Sequence, residues 1–475
     1  MKGTKNKKRY LIGSFSITSA TILVVAILAP SLFIDIKSEE ILPVKTDWDI
    51  IVPDHYDTIY EAIENAETGF KIFVRSGRYY SNYISNSLKI DKMGITLQGQ
   101  DKNNTEICGR GSSSVINIKA DNVVIKGFTL TNNPVNRSLI SVYYTNCTIE
   151  NNILRVKNYV DGIEYAIKIS SNENKIIENK IYDADKALLI EGSDNNIISN
   201  NFFENNNYGI IFGDAYRVNS SESPMNKIYE KGSNKNTIIN NTFSKNNNAI
   251  SLDSSNNNEI VNNTILKNSN YGIKIAWSTN NVIKNNKLFG CGLEIIGNDL
   301  NYYIHEITNN RVNDKPIYYY LQEDRITIPS DAGQIILVDC SYITIEETKI
   351  SNTSTAVVIA FSNHITIRNC EFSENYRGIY LYYSNKCNIR RNNFIKNSID
   401  ARFISLGFLN SRSNKWNNNY WDSWLGTKSL LFRFTNKRIP GRFHLQRRFR
   451  IMDKFQLGIR TRNIDRFPKI NPYNI

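Results

Sequence analysis

Short apolar pairs recur along this chain with asparagines between them. The stretch NNNEIVNNTILKNSNYGIKIAWSTNNVIKNN, residues 256–286, shows the pattern: Ile260-Val261, Ile265-Leu266, Ile273 with Ile275, and Val282-Ile283 are each bounded by amides. Asparagine is a poor former of both helix and strand. Apolar runs this short, alternating in and out, predict strands of three to five residues that bury no face alone.

The pairs have a period. An Asn stands two residues before an apolar strand residue at Asn179, Asn201, Asn241, Asn263, Asn286 and Asn310, and the same place is then held by Thr348, Cys370 and Asn392; upstream, Asn152 matches it. From Asn179 onward the spacings are 22, 40, 22, 23, 24, 38, 22 and 22, so the two long ones read as a unit plus an insertion. A second series, AIKI at 166, ALLI at 187, GIIF at 209, AISL at 249, GIKI at 272, AVVI at 356 and GIYL at 378, opens the next strand of each unit.

Units of ~22 residues with short strands bury a core by stacking as turns of a coil, each strand parallel to its equivalent about 4.8 Å away. The expected fold is all-β: a single right-handed parallel β-helix. Leucine-rich and helical solenoids lack their required periodicities here. In such a coil the Asn series becomes an inward ladder whose amides satisfy one another. Cys370 and Thr348 take Asn places at a tight inner corner, and Cys147 and Cys387, five residues before the ladder, are expected to be core thiols. The six cysteines form no CxxC or zinc-like spacing.

The ends must be closed. A short amphipathic helix over about 58–67 is expected to cap the first coil, and the Arg/Phe-rich end to cap the last. The organisation expected is a basic leader 1–10, a membrane anchor or signal segment 11–34, a linker 35–49, an N-terminal cap with the first coils 50–110, repeats 111–422 with insertions near 214–235 and 313–333, and a basic aromatic cap 423–475.

Charge refines this organisation. The net charge of +13 belongs to the ends: five basic groups lie in residues 1–10 and thirteen, against two acids, in 425–475, leaving 40 basic and 43 acidic groups between. The body offers no basic stripe, so nucleic acid is not an expected partner. Residues 11–34 are 24 largely apolar residues without charge, enough to span a bilayer, and the basic leader before them favours a cytoplasmic N-terminus. A single-pass membrane protein with an exported body is expected, or a secreted one if residues 1–34 are cleaved.

The segment VPDHYDTIYEAIENAETGFKIFVRSGRYY resembles the opening of pectin-lyase-like β-helix proteins, with Phe70-Lys71 where Gly-Asp is common. KPIYYYLQEDRITIPSDAGQIILVDC, NYWDSWLG and the closing NPYNI resemble NosD-like β-helix proteins of archaea and bacteria. The resemblance covers roughly residues 50–475. It implies the β-helix fold. For activity it implies a range, from carbohydrate binding and sugar processing to surface roles, and the NosD name implies copper delivery to nitrous oxide reductase.

Three chemistries can be sought on the coils. Hydrolysis needs two carboxylates about 5–9.5 Å apart; Glu191, Asp214 and Asp253, with Asp194 nearby, form an acidic row after the strands of the second series, which would also take an adventitious divalent cation. No other cofactor or metal is expected. The Asn-Thr-Asp, Asp-Asp and Gly-His-Gly pattern of polygalacturonase-like enzymes and the Asp-Pro-His-Asp motif of alginate epimerases are absent. Lys168, Lys274 and Arg377 are expected to project outward without a base beside them. Copper would need His, Met or Cys to converge, and His55, His305, His364 and His444 are scattered.

A binding surface has more support. Tyr380 and Tyr382 are expected on the outer side, with Tyr383 at the turn; Phe361 aligns with Tyr383 one coil earlier, and Trp277 holds the same turn place. Aromatic faces in a line suit sugar rings, making a polysaccharide or cell-envelope glycan the expected partner. PIYYYLQED is placed to form a lip over that surface. Sequons at Asn103, Asn136, Asn146, Asn219, Asn240, Asn262 and Asn352 fit an extracellular body. The reading is thus a membrane-anchored, non-catalytic glycan-binding β-helix, with a polysaccharide-active enzyme and a copper-delivery accessory as the alternatives.

Overall fold

A computed structural model describes residues 47–81, 87–109, 114–131, 138–156, 165–213, 232–406, 413–423, 437–449, 452–465, 469 and 471–475. The expected leader and membrane segment, the sequons at Asn136 and Asn219, and Asp214 lie outside these residues. No helix among the described residues is long and apolar enough to cross a membrane.

The chain forms a right-handed parallel β-solenoid of about 14 turns with almost no helix. A turn has three short strands. Thr148–Glu150, Ile153–Arg155 and Tyr165–Ile169 make one, and they pair in parallel with Lys175–Ile177, Lys180–Tyr182 and Lys186–Ile190 of the next. Inward side chains stack like on like: Ile149 on Ile176, Leu154 on Ile181 and Ile167 on Leu188, all fully buried. Strand length follows from the corners, because a three-residue strand needs a tight turn at each end.

Those corners explain the asparagines. The residue before each ladder position has a left-handed backbone, as at Asn200 (φ 56°), Asn240 (57°), Asn262 (57°) and Asn285 (56°), and asparagine tolerates that region better than most residues. The second Asn of each pair points inward. Asn241 donates from both its backbone N and its Nδ2 to Asn263 Oδ1, at 2.9 and 3.1 Å, and from Nδ2 to Ile198 O at 2.8 Å. The same relay runs from Asn152 through Asn179, Asn201, Asn241, Asn263 and Asn286 to Asn310. A strand-forming Thr follows at Thr242 and Thr264, so the sequons at Asn240 and Asn262 coincide with the turn pattern itself.

Three more columns run beside this one. The residues five before the ladder form a second relay, Cys147 to Asn174, Asn196, Asn236, Asn258 and Asn281, closed by His305. Cys147 is the buried thiol at the head of this column, and Cys387, also buried, holds the equivalent place in a later coil, donating from its N to Asn414 Oδ1. Asn206, Asn246 and Asn268 make a third column, and Ser193, Ser233, Ser255 and Ser278 a fourth.

The helix at the N-terminal end spans Ile59–Asn65, shorter than the 58–67 expected, because Thr58 is its N-cap and Ala66 its C-cap. It buries Ile59, Ala62 and Ile63 over the first coil.

The single stack expected from the spacings is interrupted. Arg311–Val312 pairs antiparallel with the start of Lys315–Leu321, and that strand begins a new parallel sheet with Gln334–Val338, Thr355–Ala360, Arg377–Tyr382 and Ile399–Leu406. PIYYYLQED is therefore the first strand of a second stack, not a lip. The stacks have separate cores: Ile335, Leu337, Val357, Ile359, Ile379 and Leu381 line the second, while Ile336, Val338, Val358 and Ala360, on the other side of the same strands, join the first. Gln334 meets Leu293, Ser354 meets Asn270 and Gly292, and Arg377 meets Tyr271 and Glu294, so the second stack packs against the last coils of the first.

At the C-terminal end the strands Lys437–Phe449 and Met452–Asp465 form an antiparallel ribbon. Asp465 Oδ2 accepts from Asn419 N, Asn419 Nδ2 and Trp421 Nε1 at 3.1, 2.9 and 3.0 Å. It thus ends the amide column that reaches Asn419 from Asn392.

His305 ends the second column as an acceptor: Asn281 N donates to its Nδ1 at 3.3 Å, and its Nε2 faces Tyr302 O at 3.1 Å, which fixes the neutral Nε2–H tautomer. Burial holds the imidazole down to about 4 from 6.5. The unfolded chain gains a proton near 6.5 that the folded chain refuses until about 4. Stability is therefore complete above 6.5 and is lost progressively as pH falls towards 4, by roughly 3 kcal/mol in all. Urea unfolding from pH 7.5 to 4 is expected to show His305→Asn, which restores the amide used elsewhere in the column, losing about that much less than the parent; identical pH profiles would contradict the assignment.

Candidate functional site

The described members of the acidic row, Glu191, Asp194 and Asp253, lie after the outer strands of the first stack. Lys168 Nζ is 2.7 Å from Glu191 Oε2 on the adjacent coil, which corrects the expectation that Lys168 lacks a partner. Asp253 is two strands from Glu191, with Gly213 between them in the register; two strand spacings make about 9–10 Å between backbones. Asp253 accepts from the Ser254 hydroxyl at 3.0 Å. Asp194 accepts from Asn234 N at 2.8 Å as a turn carboxylate.

The aromatic positions fall where alternation places them, yet most are covered. Trp277 (φ 46°), Phe361 (53°) and Tyr383 (48°) share the left-handed corner before the serine column. Tyr382 points out of its own coil but is only 6% exposed. The reason is the neighbouring stack: Tyr303, from the 3-10 turn Leu300–Tyr303, stacks on Tyr382 at 5.7 Å and meets Phe361 edge-on at 5.4 Å. Tyr383 is buried too and packs on Tyr382 at 4.3 Å. Tyr380 is half-buried, and burial raises its hydroxyl above the ordinary tyrosine value. These rings form an inter-stack seam.

A constellation the sequence did not reveal sits beside that seam. Arg377, expected to project free, is buried, and its Nη1 lies 2.6 Å from Glu294 Oε1. Glu294 Oε2 accepts from Thr355 Oγ1 at 3.0 Å, and Arg377 Nη2 reaches Tyr271 Oη at 3.4 Å. Burial alone would lower Arg377, but the Glu294 carboxylate more than offsets it and holds the guanidinium charged. The guanidinium carbon is 5.1 Å from the Tyr376 ring centre and 5.2 Å from that of Tyr380. Tyr376 packs edge-on against Tyr271, 6.4 Å apart at 87°, and is 42% exposed. Lys274 shares the strand of Tyr271 and pairs in register with Glu294. The result is an exposed aromatic ring on a base locked by a buried ion pair. Register could have exposed the outward Glu294 beside Lys274; nothing local announces its partner 83 residues on.

The three-sided parallel coil with side-chain columns at its corners is that of the parallel β-helix proteins. A family profile described as "Right handed beta helix region" matches residues 145–306 and 216–330, and one described as "Periplasmic copper-binding protein (NosD)" matches 291–423. The chain is a NosD-like, pectin-lyase-like right-handed parallel β-helix protein. No curated protein sequence matches it. Solved structures similar in fold include an alginate lyase of polysaccharide lyase family 6 complexed with a trisaccharide, 14% identical over 76% of this chain and 81% of that one, TM-score 0.41. A family 87 α-1,3-glucanase catalytic domain complexed with nigerose is 15% identical over 78% and 67%, TM-score 0.43. A family 6 polysaccharide lyase from Pseudopedobacter saltans is 14% identical over 72% and 82%, TM-score 0.38.

The described residues do not fit a copper centre. Among the described residues no group of three or more His, Cys, Asp or Glu is placed to hold a metal ion. Burial pushes the Cys147 thiol up to about 11 and those of Cys291, Cys370 and Cys387 to about 12, against the thiolate that a soft metal requires. His305 has both ring nitrogens engaged, and His364 is stacked on Tyr342 at 4.5 Å.

Removing one partner of a buried pair strands the other charge, at about 3–5 kcal/mol. Glu294→Gln or Arg377→Met alone is expected to destabilise by that amount in chemical unfolding. The double change Glu294→Leu/Arg377→Met should cost well under the sum of the two; additive losses would show that the groups do not act as a pair.

Proposed function

We propose that the chain is an extracytoplasmic β-helix, held at the cell membrane through residues 11–34, that binds a polysaccharide or cell-envelope glycan without catalysis. The observation that carries this reading is the exposed Tyr376 ring, edge-packed on Tyr271 and backed by the Arg377–Glu294 pair. A rigid amphipathic ring loses little entropy on contact and offers an apolar face to sugar C–H groups. In this reading the glycan contact is Tyr376, just before the strand that carries Tyr380 and Tyr382 of the expected row Trp277, Phe361, Tyr380, Tyr382 and Tyr383, while Tyr382 packs into the seam.

Catalysis by the acidic row is disfavoured by the Lys168–Glu191 ion pair, which engages the carboxylate a hydrolase would keep for the glycosidic bond. Retention on immobilised neutral and uronate glycans is expected to drop tenfold or more (about 1.4 kcal/mol) for Tyr376→Ala, with Asp253→Asn unchanged and no glycan cleaved. Turnover of any glycan that stops in Asp253→Asn would overturn the reading in favour of an enzyme.

A further inference from the structure

One face of the second stack is built from the strands Thr344–Glu346, Thr366–Arg368, Asn388–Arg390 and Lys415–Asn417, which pair in parallel in that order. The middle residues Ile345, Ile367, Ile389 and Trp416 lie in its core. The residues on either side of each therefore point out, and all of them are polar. Register makes one outward row of Glu346, Arg368, Arg390 and Asn417. Two arginines thus stand one strand spacing apart, about 4.8 Å, with a single carboxylate in their row.

That carboxylate is engaged by the first arginine. Glu346 Oε2 accepts from Arg368 Nε at 2.7 Å and lies 2.5 Å from its Nη2, and no described acceptor reaches Arg368 Nη1. Arg390 has no such partner: its Nε is buried and makes no hydrogen bond. A buried donor in a folded protein is normally paired, with protein, water or a bound group. Arg391, which follows it, is exposed, and so are Lys386 and Lys415 close by. None of these three forms an ion pair with a described residue. The near-neutral body conceals this imbalance: residues 386–415 carry seven basic groups and one acid, Asp400.

We infer that this face binds a polysaccharide bearing sulfate or phosphate esters, with an ester anion seated between Arg390 and Arg368. A carboxylate offers two oxygens and is matched by one guanidinium fork. An ester anion offers three, enough for Arg390 Nε and Arg368 Nη1 together. The cations are spread over successive coils, which suits anions repeated along a polymer better than one free ion. The polar outward rows give a bilayer no apolar surface to bury, and they carry no ring on which a nucleic-acid base could stack. The inference rests on the glycan-binding reading for the kind of polymer, but not on Tyr376, which precedes a different strand of the second stack.

The test is binding of the full chain to immobilised dextran sulfate, dextran phosphate, polygalacturonate and duplex DNA at about 0.15 M salt. One of the two esters is expected to bind more tightly than polygalacturonate or DNA, and the ester that does so identifies the anion. Arg390→Lys keeps the charge but not the planar fork, and is expected to weaken that binding about tenfold or more with its unfolding midpoint unchanged, since no partner is lost. Lys245→Gln, which removes an exposed charge from the first stack, and Tyr376→Ala are expected to leave it within about twofold. Unchanged binding in Arg390→Lys would overturn the proposal. So would equal losses in Arg390→Lys and Lys245→Gln, the mark of unspecific attraction to net charge, or polygalacturonate or DNA bound as tightly as the esters. Loss in Tyr376→Ala alone would put the ester polymer at the Tyr376 surface, which sustains the glycan reading and overturns this site.

Discussion

The constraint on which this molecule depends is that every coil hands an acceptor to the coil before it. In the ladder from Asn152 to Asn310 the backbone N–H and the side-chain amide of one asparagine share the Oδ1 of the next. A buried amide left unpaired costs about 1–3 kcal/mol, so the column makes polar corners compatible with an apolar interior. It also fixes register, since a slip of one residue would turn the amide outward and an apolar residue into its place. The relay has a direction, and its ends are closed by groups that accept: His305 Nδ1 for one column and Asp465 Oδ2 for another.

Register then positions everything else. Because strands repeat at fixed places, outward residues of successive coils become neighbours: Lys274 pairs in register with Glu294, and Lys168 reaches Glu191 on the next coil. The turn between the stacks brings a second set of outward residues against the first. The seam holds an aromatic cluster around Tyr303 and Tyr382 and the buried Arg377–Glu294 pair. Close approach has its own demand: a Cβ on Gly378 would lie 2.4 Å from Asp400 O and 3.0 Å from the Phe394 ring, which accounts for the glycine at that place. The same seam braces Tyr376 through its edge-on contact with Tyr271 and its place over the Arg377 guanidinium.

Much of the fold was legible because a single residue type marked the strongest column. Asn179 to Asn310 could be aligned by counting, and the coil followed from it. The second column was harder to see, since Cys147, Asn174 and His305 do the same work with different atoms. The reversal after Asn310 was visible only as a long spacing, because two antiparallel residues, Arg311 and Val312, carry no distinctive pattern. The site suffered most from this. Alternation correctly put Tyr382 on the outside of its coil, but no local rule says that another stack lies there. Glu294 and Arg377 are joined only where the two stacks meet, so Arg377 read as a lone outward charge and Glu294 was not singled out.

The central claim is that adjacent ladder asparagines act as coupled pairs. A double-mutant cycle on Asn241→Ala and Asn263→Ala, read by chemical unfolding, measures this directly. The account predicts a coupling of more than about 1 kcal/mol for that adjacent pair and close to zero for the distant pair Asn201 and Asn286. Losses that simply add for Asn241 and Asn263 would contradict it.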